Sequence, residues 1–231
     1  MNVPPESRGA PAPSADAEPD PTLPLPFSRL LLVVTGSVSA ADLPFWGTWL
    51  RLYHEDLEVR LVLTPSARRF LTSDAVGGRF GGEVRDDVWP EGDGTAHHVE
   101  FAEWADAVLI FPATFDFTAR FALGRGDSPA LLASQCTTAP IAIAPALPPG
   151  GAQSPAHQEH LRVLRSRPNV VVVPPQPGVS ITTGRRDAWA PALFPHCLTE
   201  LSALHERLAA GRAPDTVEGA ADAPVGTGRD T

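Results

Sequence analysis

The sequence predicts an α/β fold in three layers, with a doubly wound parallel sheet between two layers of helices. Two observations predict it. Short apolar runs rich in β-branched residues end at Gly, Pro or Ser, and each run is followed by a segment of helical character. Strands that are apolar throughout are buried on both faces, which is typical of parallel sheets built from βαβ units.

The first two βα units are the clearest. Leu30–Val34 is a run of five apolar residues that ends at Thr35-Gly36-Ser37, and helical periodicity follows over Leu43–His54. Val59–Leu63 ends in the same way at Thr64-Pro65-Ser66, and a short helix is expected after it. In both units the Gly, Pro and Ser residues end the strand before the helix begins.

The remaining units repeat this order. Strands are predicted at residues 107–111, 140–144 and 170–173, and helices near 117–123 and 155–166 and from Asp187 to Ala210. The sequence contains no internal repeat. An alternation of this kind predicts a flavodoxin-like or Rossmann-like domain.

The two ends of the chain differ in composition from the rest. Residues 1–26 hold eight of the 26 prolines, and residues 212–231 are mostly Gly, Ala, Asp, Thr and Pro. Such segments have too few apolar residues to offset the entropy of ordering. We therefore expect two disordered tails around one domain at residues 27–211.

Composition excludes several function classes. With 18 basic and 27 acidic residues the net charge is −9, which argues against binding to nucleic acid or to an anionic membrane. No apolar run is long enough to span a membrane and no signal segment is seen, so a cytoplasmic protein is expected. All 18 cations are Arg, which excludes lysine Schiff bases and Walker A sites. Cys136 and Cys197 form no recognisable disulfide or metal motif, so no metal site is expected.

The residues that follow the strands are the first candidates for a site. In a doubly wound sheet, ligands bind beyond the carboxyl ends of the strands, where the strand order reverses. Three strand ends carry hydroxyl groups just before a helix: Thr35-Gly36-Ser37, Thr64-Pro65-Ser66 and Thr114. Hydroxyls and helix N-termini suit a phosphate, and the missing Gly-x-Gly-x-x-Gly fingerprint favours a mononucleotide over a dinucleotide.

Taken together, these turns resemble those of the homo-oligomeric FMN-containing cysteine decarboxylases. The family comprises phosphopantothenoylcysteine decarboxylases and enzymes that decarboxylate the C-terminal cysteine of ribosomal peptides. The resemblance runs from about Arg29 to Val173 and is most specific over Ala96–Thr114. There a His-Val segment, a Trp-Ala-Asp turn and a strand ending in Pro-Ala-Thr follow one another at the family's spacing.

The resemblance implies a cofactor, an assembly and a set of site residues. The cofactor would be FMN, and the assembly a trimer or a dodecamer of trimers with FMN at the subunit contact. Asp116 stands where the family usually has Asn, so it either contacts the flavin or caps the following helix. The implied FMN contacts are Gly36, Ser37, Val38, Thr64, Ser66, Thr114, Phe115, Asp116 and Ala146.

His98 aligns with the family's catalytic histidine. Cysteine does not lose CO₂ readily, because the resulting carbanion cannot delocalise its charge. Oxidation to a thioaldehyde provides an electron sink, and decarboxylation then gives an enethiolate. A histidine titrates near neutrality and suits removal of the thiol proton. His97 is expected to be a bystander.

Two departures from the family limit the function. The family's Pro-x-Met-Asn motif, whose Asn holds the substrate carboxylate, is replaced by Pro145-Ala146-Leu147-Pro148. From their residue type, Arg185 and Arg186 are candidates for a carboxylate clamp in its place, the alternative being that they form a solvated face. The segment Gln176–Gly184 lacks the flap Cys of the coenzyme A pathway.

We therefore predict an FMN-dependent oxidative decarboxylase of a C-terminal peptidyl cysteine that yields an aminoenethiol. The alternatives are a flavin-binding subunit or regulator without activity, and a phosphopantothenoylcysteine decarboxylase.

Overall fold

The computed structural model describes residues 24–89, 92 and 94–212. Residues 1–23 and 213–231, which make up most of the two predicted tails, lie outside the described residues. Pro24–Pro26 were assigned to the first tail, but they are described, and Leu25 packs against the core.

The central sheet has six parallel strands. The strands are β1 (Arg29–Val34), β2 (Glu58–Leu63), β3 (Val84–Asp86), β4 (Ala107–Thr114), β5 (Ile141–Ala146) and β6 (Val170–Val172). Their order in space is β3-β2-β1-β4-β5-β6. This is the Rossmann order, in which successive strands are added on one side of β1 up to β3 and on its other side from β4 onwards. The crevice between β1 and β4, where the strand order reverses, is the switch point.

Seven helices accompany the strands in the described part of the chain. They are α1 (Leu43–Tyr53), α2 (Ser73–Phe80), α3 (His97–Trp104), α4 (Phe115–Ala122), α5 (Pro129–Cys136), α6 (Pro155–Arg165) and α7 (Phe194–Arg212). None of these helices combines the length and apolar character that a membrane span requires.

The alternation of side chains along β1 produces two cores. Leu30, Leu32 and Val34 face the layer that contains α1, α2 and α7, whereas Leu31 and Val33 face the layer that contains α3, α4, α5 and α6. Because successive side chains of a strand point to opposite faces, a fully apolar strand must be covered on both sides. The predicted three-layer α/β fold is confirmed.

Several elements differ from the prediction or were missed by it. The strand β3, the helices α3 and α5 and a hairpin before the last helix were not predicted. The helix predicted from Asp187 is wrong at its start, because residues 188–190 form a strand and the helix begins at Phe194. That strand, β8 (Ala188–Ala190), pairs antiparallel with β7 (Gln176–Gly178).

The β7–β8 hairpin lies beside the end of β5. Leu147, which directly follows β5, forms a bridge with Trp189 of β8, with backbone hydrogen bonds of 2.9 and 3.0 Å. The hairpin is therefore attached to the carboxyl edge of the sheet, where the fold places ligands.

Candidate active site

The turns after β1 and β2 lie in close contact. A Cβ atom on Gly36 would fall 2.4 Å from Cβ of Ser66, so only glycine permits this approach. The hydroxyl oxygens of Thr64 and Ser66 are 3.1 Å apart. Ser37 begins a 3₁₀ turn, and its hydroxyl accepts a hydrogen bond from the backbone N–H of Ser39 at 3.4 Å. The two predicted turns thus meet at Gly36 and Ser66.

Thr35 joins β1 to β4 at the switch point. Its hydroxyl donates to the carbonyl of Pro112 at 2.6 Å and accepts from the N–H of Thr114 at 2.8 Å. Thr35 is 1% exposed, so both bonds are shielded from water. The sequence marked it only as part of a turn, since its two partners lie 77 and 79 residues away.

Thr114 ends β4 and caps α4. Its hydroxyl accepts from the N–H of Phe117 at 3.3 Å, as an N-cap residue does. The suggestion that Asp116 caps this helix is therefore wrong. The Asp116 carboxylate instead lies 3.6 Å from the Arg120 guanidinium, one turn further along α4.

A cavity of about 520 Å³ opens at this edge of the sheet. Such a volume suits a cofactor or a small substrate. Hydroxyl groups line it from four strand or helix ends; they belong to Thr35, Thr64, Ser66, Thr114 and Ser128. The cavity therefore brings together the predicted residues Thr64, Ser66, Thr114 and Asp116.

The other predicted contacts are not among the residues that line this cavity. Val38 is 51% exposed beside Ser37, and Ala146 ends β5 almost fully buried. Phe115 packs on α6, where its ring stacks on His157 at a centroid distance of 5.4 Å. Phe117, by contrast, is buried and borders the cavity.

Asp87 is a cavity residue that the sequence analysis missed. It directly follows β3, is 4% exposed, and accepts a hydrogen bond from the N–H of Ala130 in the first turn of α5 at 2.8 Å. Burial raises the pKa of the Asp87 carboxyl above its usual range, although the N–H of Ala130 opposes the shift. No sequence signal marked Asp87, because β3 and α5 were themselves not predicted.

His98 lies in the first turn of α3. Glu100 anchors this helix to the sheet by accepting hydrogen bonds from Arg60 and Arg85 at 3.0 and 2.8 Å. The His98 ring meets the ring of Trp89 edge to face, with centroids 5.5 Å apart, and Trp89 lines the cavity. His98 is thus one side chain away from the cavity.

Arg185 and Arg186 lie in the exposed connection of the β7–β8 hairpin. Arg185 donates to the carboxylate of Asp187 at 2.7 Å, so its charge already has a partner. Arg186 is exposed in the same turn. The structure does not bring either arginine into the lining of the cavity.

A larger cavity, of about 1050 Å³, lies at the opposite edge of the sheet. It is lined by Phe27 and Ser28 before β1, Asp106 before β4 and Pro140 before β5. These positions precede the strands, whereas doubly wound folds bind ligands after them. We therefore place the candidate site at the smaller cavity. In the described part of the chain, no three His, Cys, Asp or Glu residues are grouped as metal ligands would be.

Comparison with known proteins gives close relatives in sequence. The chain is 39% identical over 153 residues to a cypemycin cysteine dehydrogenase (decarboxylating) of a Streptomyces species. That match covers 66% of this chain and 79% of the Streptomyces protein. It is 35% identical over 146 residues to the coenzyme A biosynthesis bifunctional protein CoaBC of Vibrio vulnificus (strain YJ016). That match covers 60% of this chain but only 34% of the bifunctional protein.

The solved structures that match the chain include cysteine decarboxylases as well. The crystal structure of the cypemycin decarboxylase CypD matches with a TM-score of 0.68 and 31% identity, over 83% of this chain and 99% of that one. The FMN-dependent cysteine decarboxylase SpaF matches with a TM-score of 0.61 and 27% identity, over 75% and 96%. A family model described as Flavoprotein matches residues 22–190. Because this match covers most of the chain, the protein belongs to the flavoprotein family.

Proposed function

We propose that this protein is an FMN-dependent enzyme that oxidatively decarboxylates a C-terminal cysteine of a ribosomally made peptide, giving an aminoenethiol. The observation that carries the proposal is the cavity at the switch point, where hydroxyls from three strand ends converge. Similarity to a cypemycin cysteine dehydrogenase (decarboxylating) and to an FMN-dependent cysteine decarboxylase supports the reaction type.

The donors at the strand ends fit the phosphate of FMN. Gly36 lets the first turn lie against Ser66, so the turns after β1 and β2 approach each other closely. Thr114 begins α4, whose N-terminus favours an anion. The cavity is lined by Arg120 and three carboxylates, so phosphate binding rests on neutral donors rather than on net charge. When bound, FMN accepts the two electrons that leave the substrate cysteine.

In this proposal His98 handles the proton of the substrate thiol. An imidazole suits this role, because a thiol must lose its proton before its carbon is oxidised and histidine titrates near neutrality. Helix α3 carries the imidazole next to Trp89, which lines the cavity, and the Arg60 and Arg85 bonds to Glu100 fix the helix on the sheet.

The substrate carboxylate requires a donor that the β5 turn does not supply. Pro148 has neither a side-chain donor nor an N–H. Arg186 is the better candidate of the two hairpin arginines, because Arg185 is already paired with Asp187. The hairpin is joined to the end of β5 through Leu147 and Trp189, so it lies at the same edge of the sheet as the cavity.

A role in coenzyme A synthesis is disfavoured. The hairpin segment Gln176–Gly184 has no Cys to reduce an enethiol intermediate. Cys197 is fully buried in α7, and burial raises the pKa of its thiol far above the usual range. Such a thiol is inert at neutral pH. An oxidised product therefore fits the chain better.

One observation favours a second candidate, a flavin-binding subunit or regulator that does not decarboxylate. The turn at Pro148 lacks the donor that would hold the substrate carboxylate. Such a protein would keep the FMN contacts and would not turn over.

The proposal includes a cytoplasmic homo-oligomer, a trimer or a dodecamer, with FMN at the subunit contact. Exposed apolar side chains near the cofactor turn support an assembly. Val38, directly after the first turn, is 51% exposed, and Phe45 on α1 is 63% exposed.

The test is anaerobic mixing of the purified protein with a short peptide that ends in Cys, followed by mass spectrometry and absorbance. We expect a loss of about 46 mass units, CO₂ plus two hydrogens, together with bleaching near about 450 nm. A peptide ending in Ser and the variant His98→Asn serve as controls, and neither should react.

Three other outcomes decide between the candidates. Conversion of phosphopantothenoylcysteine would refute the argument from the missing flap Cys. Bound FMN without turnover on any Cys-terminated peptide would favour the non-catalytic candidate. A protein that binds no flavin would overturn the proposal.

A further inference from the structure

A chain of contacts joins the first turn of α3 to the connection between α4 and α5. It runs from His98 to Trp89, then to Asp127, and ends at Arg120 in α4. Every step is a ring contact or a hydrogen bond between described residues. The chain runs along the cavity, because Trp89, Asp127 and Arg120 all line it.

The contact between His98 and Trp89 orients the imidazole. A functional histidine is usually fixed by a hydrogen bond from its second ring nitrogen. In the described part of the chain, Nδ1 of His98 is buried without a hydrogen-bond partner. The ring of His98 is instead packed against Trp89, at a centroid distance of 5.5 Å and an interplanar angle of 70°. Packing therefore replaces the usual hydrogen bond.

The indole of Trp89 is held in turn by a hydrogen bond to Asp127. Trp89 is 44% exposed, so burial alone does not hold it. Its Nε1–H donates to the backbone carbonyl of Asp127 at 3.1 Å. The Asp127 carboxylate in turn accepts hydrogen bonds from Arg120 at 2.7 Å and Arg125 at 3.0 Å. The indole is thereby tied to α4, the helix that begins at the predicted cofactor turn.

We propose that Trp89 is a positioning residue that holds the imidazole of His98 towards the cavity, through its hydrogen bond to Asp127. The inference rests on the proposed function, in which His98 handles the substrate proton. Trp89 touches neither proton nor cofactor in this role. It fixes the distance between the base and the cavity, and a small misplacement of a catalytic group costs rate rather than binding.

The experiment compares two variants of Trp89 in the flavin-loaded protein. Trp89→Leu removes both the ring contact and the N–H donor, whereas Trp89→Phe keeps an aromatic ring and removes only the donor. With rates normalised to bound flavin, we expect Trp89→Leu to lower kcat about 10- to 100-fold. Trp89→Phe should lose less, and KM should stay within about twofold in both.

A second readout does not depend on activity. Diethyl pyrocarbonate acylates unprotonated imidazoles, and peptide mapping gives the rate at each histidine. Acylation of His98 should become faster in Trp89→Leu, relative to His54, which packs on Trp49 in another part of the molecule. Trp46→Phe, in α1, is the matched control and should change neither kcat nor the His98 rate.

The possible results separate the two proposals. An unchanged kcat in Trp89→Leu, or a loss confined to KM, would overturn the positioning role. An unchanged acylation rate of His98 would show that Trp89 does not hold the imidazole. Absence of turnover in the wild type would overturn the proposed function and the positioning role with it, and the acylation rates would still report the contact itself.

Discussion

At the end of β1, a single buried hydroxyl adds two hydrogen bonds to the pairing of the two strands that border the switch point. Thr35 both donates to Pro112 and accepts from Thr114, and it therefore sets the spacing between β1 and the turn that begins α4. The sequence places a hydroxyl there but cannot tell which strand it reaches. That depends on the strand order, which brings β4 next to β1.

We expect Thr35→Val to destabilise the protein by about 1–3 kcal/mol, because the buried carbonyl of Pro112 and the part-buried N–H of Thr114 both lose the hydroxyl that they bond. Valine has nearly the same shape, so packing is preserved. Urea unfolding of the wild type and the variant measures the effect. Thr35→Ser keeps the hydroxyl and should lose much less; an equal loss in both would mean that the methyl group, not the hydroxyl, matters.

The close contact between Gly36 and Ser66 leads to a prediction on flavin binding. Gly36→Ala would place a Cβ 2.4 Å from Ser66, so one of the two turns must move. Because both turns supply the proposed phosphate donors, we expect the variant to retain much less flavin after gel filtration. The measurement is flavin absorbance per chain.

Gly78→Ala is the matched control for this prediction. A Cβ at Gly78, within α2, meets nothing within 4 Å, and alanine favours a helix by about 0.5–1 kcal/mol. This variant should bind flavin like the wild type and unfold at slightly higher urea. Equal flavin retention in Gly36→Ala and Gly78→Ala would contradict the role given to the first turn.

At the scale of elements, the sequence predicted those that carry a long apolar pattern. Strands β1, β2, β4, β5 and β6 are buried on both faces, and their apolar runs are visible without knowledge of the fold. Strand β3 has three residues, Val84–Asp86, and its burial is partial, so it carries no such pattern. Its place in the sheet comes from pairing with β2, which only the folded chain reveals.

The hairpin and α5 show a different limit. The local sequence of Ala188–Ala190 predicts a helix, since alanine favours helices. It becomes a strand because it pairs with Gln176–Gly178 and because Leu147 bridges Trp189. Tertiary contacts override local propensity here. The predicted clamp residues Arg185 and Arg186 lie in this hairpin, so their position could not be predicted either.

Asp87 joins two of the unpredicted elements, and its burial leads to a prediction on pH. The folded protein raises the pKa of this carboxyl, chiefly by desolvation. A raised pKa in the folded state contributes stability below the pKa of the unfolded chain, about 3.9. That contribution is lost as the pH rises through the folded pKa. Ionised Asp87 is therefore a cost at neutral pH.

We expect Asp87→Asn to be more stable than the wild type at pH 7, because the amide oxygen still accepts from Ala130 and no charge is buried. The difference should shrink as the pH falls towards the ordinary pKa of aspartate. Urea midpoints measured for both proteins across this range test it. A variant that is less stable at every pH would mean that the carboxylate's bond to the α5 N-terminus outweighs its desolvation.

At the scale of the whole molecule, the candidate site collects residues that are far apart in the sequence. Thr64, Ser66, Thr114 and Asp116 were predicted because each follows a strand, and parallel strands end at one edge. Asp87 and Ser128 reach the same cavity from elements that the sequence did not predict. The cavity residues at strand ends can thus be inferred from the sequence. The other lining residues, such as Asp87 and Ser128, depend on how the unpredicted elements pack.

The last prediction concerns the surface beside this cavity. Phe45 and Leu52 are seven residues apart on α1, so they share one face, and they are 63% and 72% exposed. Val38, which directly follows the proposed cofactor turn, is also exposed, at 51%. Because exposed apolar faces mark protein contacts, a subunit contact here would border the flavin site.

We therefore expect Phe45→Asp to dissociate the assembly, measured as molar mass by light scattering, and to lose flavin in parallel. A charge in a desolvated contact is costly unless it is paired. Leu123→Asp, at the end of α4, changes a residue that is 68% exposed and serves as the matched control. It should leave both mass and flavin content unchanged. Dissociation without loss of flavin would place the cofactor within one subunit, and an unchanged mass would place the contact on another face.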